Sequence, residues 1–163
     1  MKAVAGVLAM ALLCSAGFAA DEKEKKGHHH EHKAPHGGCL IAVGDHFAHL
    51  ELVLDAATGK LTAYVLDGEA EKAVRVKQKE IKIKITGLGK DFEVELKAVA
   101  NVLSGETVGD TSQFEATDER LKGAKHFDGE IDKLEIKGQK TKDIDFDFPH
   151  GNEGGHDHKH DKK

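Results

Sequence analysis

Apolar residues recur at every second position through most of this chain, in short runs divided by turn-forming residues. Leu50, Leu52 and Leu54 alternate with His49, Glu51 and Val53, and Ile81, Ile83 and Ile85 with Glu80, Lys82 and Lys84. Phe92, Val94 and Leu96 alternate with Glu93, Glu95 and Lys97, and Ile144, Phe146 and Phe148 with Asp143, Asp145 and Asp147. Successive side chains of an extended strand point to opposite faces, so each run predicts a strand with one buried and one wet face, the pattern of antiparallel sheets. Gly44-Asp45, Ala57-Thr58-Gly59, Asp67-Gly68, Gly87-Leu88-Gly89, Asp128-Gly129 and Gly138-Gln139 supply the turns. Turns roughly ten residues apart predict an all-β fold, an antiparallel β-sandwich of the immunoglobulin-like kind with about seven to nine strands. Leu121 to His126 is expected to add one short helical turn. A glycine-rich phosphate loop and a strand-helix-strand alternation are both missing, which sets nucleotide-binding folds aside.

Around this core the composition changes. Residues 1–19 have the parts of a secretory signal: Lys2, an apolar run from Ala3 to Leu13, and the small residues Ser15, Ala16, Gly17 and Ala19. The run is too short to span a bilayer. Cleavage after Ala19 is preferred over Ala20, which would put Phe18 where a small residue is wanted. Cys14 suggests a lipid attachment, but Leu13 before it is too large, so a soluble periplasmic or secreted protein, not inserted in the membrane once the signal is removed, is the expectation. Residues 20–38 and 149–163 are charged and rich in histidine and glycine, with little apolar surface to offset the entropy of ordering. They are expected to be flexible arms flanking a domain at 39–148.

Removal of the signal leaves Cys39 as the one cysteine, so no internal disulfide forms and stability must come from a buried core. Asp and Glu number 29 against 24 Lys and Arg, interspersed through the core, which argues against a nucleic-acid partner. Both methionines, Met1 and Met10, fall in the signal. A carrier of Cu(I) would be expected to use soft thioethers, so the available ligands point to Zn(II), Cu(II), Ni(II) or Co(II).

Histidine is where the chemistry concentrates. His28, His29, His30, His32 and His36 precede the core, and His150, His156, His158 and His160 follow it. Neutral imidazole is the commonest side-chain ligand for such ions, and a flexible segment can wrap one. The competing reading of each arm is a solvated polar tail. In an extended chain His156, His158 and His160 would share one side, with Asp157 and Asp161 as oxygen ligands or hydrogen-bond acceptors. His46 and His49 flank the start of the second strand. If the strand begins at His46, the two side chains diverge and cannot chelate one ion without a bulge. Cys39 precedes an apolar run and is read first as a small hydrophobe, and His126 as structural. Ser104, Ser112 and Cys39 have no local nucleophile signature, so no enzyme is expected.

The run His36-Gly37-Gly38-Cys39-Leu40-Ile41-Ala42-Val43-Gly44-Asp45-His46-Phe47-Ala48-His49-Leu50-Glu51-Leu52-Val53-Leu54-Asp55, continuing through Thr58-Gly59-Lys60 to Tyr64-Val65-Leu66-Asp67, resembles two groups. One is small exported bacterial β-sandwich proteins. The other is the His-Gly-Gly segment of periplasmic adaptor subunits of heavy-metal efflux pumps. The resemblance implies an exported domain connected with divalent metals, with His36 and His46 at the matching positions. The long helical hairpin of an adaptor is not in this chain, so a pump-spanning role does not follow.

These features favour an exported protein that buffers or delivers divalent transition metals, accessory to an envelope efflux or transport component. The candidate ligands are His28, His29, His30, His32, His36, His46, His49, His156, His158 and His160. The alternative is a cell-envelope immunoglobulin-like interaction module whose histidine-rich tails are incidental.

Overall fold

The alternating runs become strands in a computed structural model, which describes residues 32–152. The expected signal, His28, His29 and His30, and the tail histidines His156, His158 and His160 lie outside the described residues. The eight strands are β1 (Cys39–Val43), β2 (Ala48–Asp55), β3 (Lys60–Asp67), β4 (Glu80–Thr86), β5 (Phe92–Ala98), β6 (Gln113–Thr117), β7 (Phe127–Ile136) and β8 (Gln139–Phe148). A single 3-10 turn, Glu119–Leu121, sits between β6 and β7, capped by the Asp118 side chain on the Arg120 amide. In β4, Ile81, Ile83 and Ile85 are fully buried while Lys82 and Lys84 point outward, as the period of two requires.

The all-β, antiparallel expectation holds, and the strand number falls inside the expected range. The arrangement differs from two stacked sheets. All eight strands join one sheet in the order β1-β2-β3-β6-β5-β4-β7-β8, every neighbouring pair antiparallel. The short strand β6 is the reason: Ala63 pairs with Phe114 on one side, and Phe114 with Ala98 on the other, stitching the two halves together. The sheet then curls until its edge strands nearly meet. Across this seam the Cys39 thiol donates to the Asp147 carbonyl at 3.6 Å. Asn152 accepts from the Ala42 amide at 2.8 Å and donates to the Ala42 carbonyl at 3.1 Å. A small barrel of this strand number is filled by its own side chains. Ile41, Leu50, Leu52, Leu61, Leu96, Phe114, Ile131 and Leu134 fill this one, all fully buried.

One strand breaks the in-and-out rule. In β2, Ala48, His49, Leu50, Glu51 and Leu52 are buried consecutively, so both faces are covered. Residues 32–38, expected as part of a free arm, cover the outer one. Ala34 rests on a second small apolar cluster of Leu40, Leu66 and Ala70, with Tyr64 beside it. The Gly38 backbone lies so close to β2 that a Cβ there would collide with the Leu52 carbonyl oxygen and come within 2.8 Å of Val53. Glycine is what lets the arm descend onto the strand.

Candidate metal centre

Three histidines from an arm, a turn and a strand converge at the start of β2. His32 comes from the arm, His46 from the turn joining β1 to β2, and His49 from the second residue of β2. Their ring centroids are 4.7 Å apart for His32 and His49, 5.8 Å for His46 and His49, and 5.9 Å for His32 and His46. One ligand nitrogen from each lies within 4.8 Å of the others. Tetrahedral ligands held at about 2.0 to 2.1 Å from zinc stand roughly 3.4 Å apart, so modest side-chain rotations bring all three onto one ion.

The expected divergence of His46 and His49 does not occur. Strand β2 begins at Ala48, not at His46, and alternation governs only residues inside a strand. His46 has φ of +56°, a left-handed conformation uncommon outside glycine, and the turn it belongs to runs from Gly44 to Phe47. That twist turns its side chain toward the buried His49. Non-glycine residues in this region cost on the order of 1 kcal/mol and cluster at functional sites. The turn is also held down by Gly68, where a Cβ would lie 2.7 Å from the His46 carbonyl oxygen.

His49 is fully buried and its Nδ1 lies 3.1 Å from the Asp67 carbonyl oxygen. A carbonyl can only accept, so Nδ1 carries the proton and the basic lone pair sits on Nε2. Metal-ligating histidines are commonly oriented by such a bond from their other nitrogen. Asp67 is itself braced: its side chain accepts from the Glu71 amide at 2.9 Å and the Lys72 amide at 3.2 Å. The Glu71 bond is the main reason its carboxyl sits below the usual carboxylate range.

Among the remaining expected ligands, His36 is not brought into this group. Its Nδ1 meets Glu51 Oε2 at 2.7 Å, and its ring stacks on Tyr64 at 3.8 Å between centroids. The Glu51 carboxylate, fully buried, also accepts the backbone amides of His36 at 2.8 Å and Gly38 at 2.9 Å. His36 therefore pins the arm that carries His32. Cys39 is not part of the three-histidine group. Burial pushes its thiol up to about 12, so it stays protonated and poorly suited to ligation. His150, expected with the tail ligands, instead neighbours His126, their ring centroids 6.0 Å apart.

Comparison with family models, with curated proteins and with solved structures gives no match. Three imidazoles, one in a preset tautomer, form a donor set suited to a borderline divalent ion, with a fourth coordination position left to water or another ligand.

Proposed function

We propose that this protein binds a divalent transition metal, Zn(II), Cu(II), Ni(II) or Co(II), at His32, His46 and His49. The single observation that carries the reading is the approach of three ligand nitrogens to within 4.8 Å of one another, drawn from an arm, a strained turn and a strand. His32 lies 14 residues from His46 and 17 from His49, on an arm latched by Glu51.

The reading is one of binding rather than turnover: the protein buffers the ion, or passes it to an envelope efflux or transport component. Export fits the secretory signal expected at residues 1–19 and the resemblance of the His36 to Asp67 segment to metal-efflux adaptors. The histidine-rich stretches on either side of the domain would raise the local concentration of the same ions. Isothermal titration of the full mature chain with zinc at about pH 7.5, where imidazoles are mostly neutral, tests this. Replacing His32, His46 and His49 together by alanine is expected to remove one tight site from the isotherm. An unchanged isotherm rejects the reading.

A second reading, an interaction module of the cell envelope, draws on one observation. Val102 and Leu103 are 93% and 100% exposed at the tip of the loop between β5 and β6. The loop is braced rather than slack, because the Asn101 side chain accepts from the Leu103 amide at 3.0 Å and Arg75 donates to the Ser104 carbonyl. Loss of a copurifying envelope protein in V102S/L103S, with zinc binding unchanged, would favour it.

A further inference from the structure

We propose that His126 and His150 form a second metal site, a two-imidazole clamp for Zn(II) or Cu(II), separate from the three-histidine group. His126 immediately precedes β7 and His150 follows the end of β8, and both are exposed. Their ring centroids are 6.0 Å apart and their planes differ by 29°. That separation matches the 5.8 and 5.9 Å found between His46 and its two partners, whose ligand nitrogens already lie within 4.8 Å. Two imidazoles on a tetrahedral zinc place their centroids about 5 Å apart, so the rings need to close by only about an ångström.

The clamp stands on a rigid base. Phe127 and Phe148 are directly opposed in the β7–β8 ladder and stack at 4.6 Å with their planes 5° apart, and Phe146 meets Phe127 edge-on at 6.3 Å. A pair held by such a base loses little freedom on binding, which favours chelation. The outer face beside it is acidic: Asp128 lies opposite Asp147, and Glu130 opposite Asp145. Like charges directly across a strand pair repel, and a bound cation relieves that repulsion. The site thus takes a divalent ion through two borderline nitrogens, with water completing the coordination shell.

The clamp shares no residue with the three-histidine group, so the two sites can be tested apart. The full mature chain is treated with diethyl pyrocarbonate, which acylates the imidazole lone pair, with and without zinc chloride, and each histidine is followed by mass spectrometry. Zinc is expected to suppress modification of His126 and His150 in parallel. H126Q should abolish the protection of His150, H150Q should abolish that of His126, and H32A/H46A, which spares the buried His49, should leave both protected. The proposal is overturned if zinc protects neither ring, if His150 stays protected in H126Q or His126 in H150Q, or if H32A/H46A removes the protection. Both rings are exposed, so neither glutamine variant disturbs the core.

Discussion

The buried carboxylate of Glu51 grips His36 twice, through the backbone amide at 2.8 Å and through ring Nδ1 at 2.7 Å. A carboxylate taken out of water in mid-strand costs several kcal/mol unless its oxygens are satisfied. Here the donors come from the arm, with the Gly38 amide as the third. The face of β2 that the sequence leaves polar is therefore the face on which the arm is seated, and His32 rides on that arm toward His46 and His49.

Glu51→Gln should both destabilise the fold and loosen the proposed metal centre. The amide keeps one acceptor but sets an NH2 group against His36, losing a charge-assisted bond of roughly 1.5 to 3 kcal/mol. Urea unfolding should show a loss of that size, and zinc titration a parallel drop in affinity. Equal stability of the two proteins would mean that the latch contributes nothing.

At the proposed metal centre, single replacements H32A, H46A and H49A are each expected to weaken zinc by about tenfold or more, since each removes one of the three proposed ligands. His49 should also cost stability, because its removal empties a buried site and orphans the Asp67 carbonyl. Protons compete with the ion for imidazole nitrogen, so affinity in the unaltered chain should fall on acidification. A pH-independent affinity would point to carboxylate ligands instead.

Cys39 makes a prediction at the alkaline end. Desolvation by burial raises its thiol from 9.0 to about 12, with the nearby Asp147 charge adding to the effect against a lowering bond from the Gly151 backbone. A group whose folded value is raised contributes stability below its unfolded value and loses it as the pH climbs toward the folded one. Above about pH 9 the unfolded chain sheds this proton while the folded chain keeps it. Stability should fall faster between pH 9 and 11 in the unaltered protein than in C39A, by thermal unfolding of both. Iodoacetamide at about pH 8 should label Cys39 in urea and spare it in the native state.

The seam between β1 and β8 can be tested through Asn152. Its side chain makes two bonds to the Ala42 backbone, each contributing about 0.5 to 1.5 kcal/mol net. Asn152→Ala should lower the unfolding free energy by about 1 to 2 kcal/mol and speed amide exchange at Ala42. Unchanged exchange there would show that the barrel edge is held by other contacts.

Much of this architecture was legible in the chain. The alternation in Ile81 to Ile85 and Phe92 to Leu96 gave β4 and β5 their buried faces. The expected turns fell between strands except Asp128-Gly129, which lies inside β7, where the missing Cβ of Gly129 makes room for the Phe146 ring across the ladder. Closure was not, because one sheet or two depends on whether β6 pairs on both sides, and Phe114 reads the same in either case. The three converging histidines were each recognisable as candidate donors by residue type. Their convergence was not, since it turns on a positive φ at His46 and on a strand starting two residues later than the pattern suggests. Glu51 and Tyr64 gave no local signal, and a glutamate in a strand ordinarily faces water.

The sequence by itself determined the class of fold and the donor chemistry on offer, because strand periodicity and side-chain donor chemistry are local properties carried by each residue. The tertiary structure alone decided how the sheet closes, which face of β2 is covered, and which imidazoles share a site. Those depend on contacts between segments distant along the chain, such as Glu51 with His36 and His150 with His126, whose free energies no local pattern encodes.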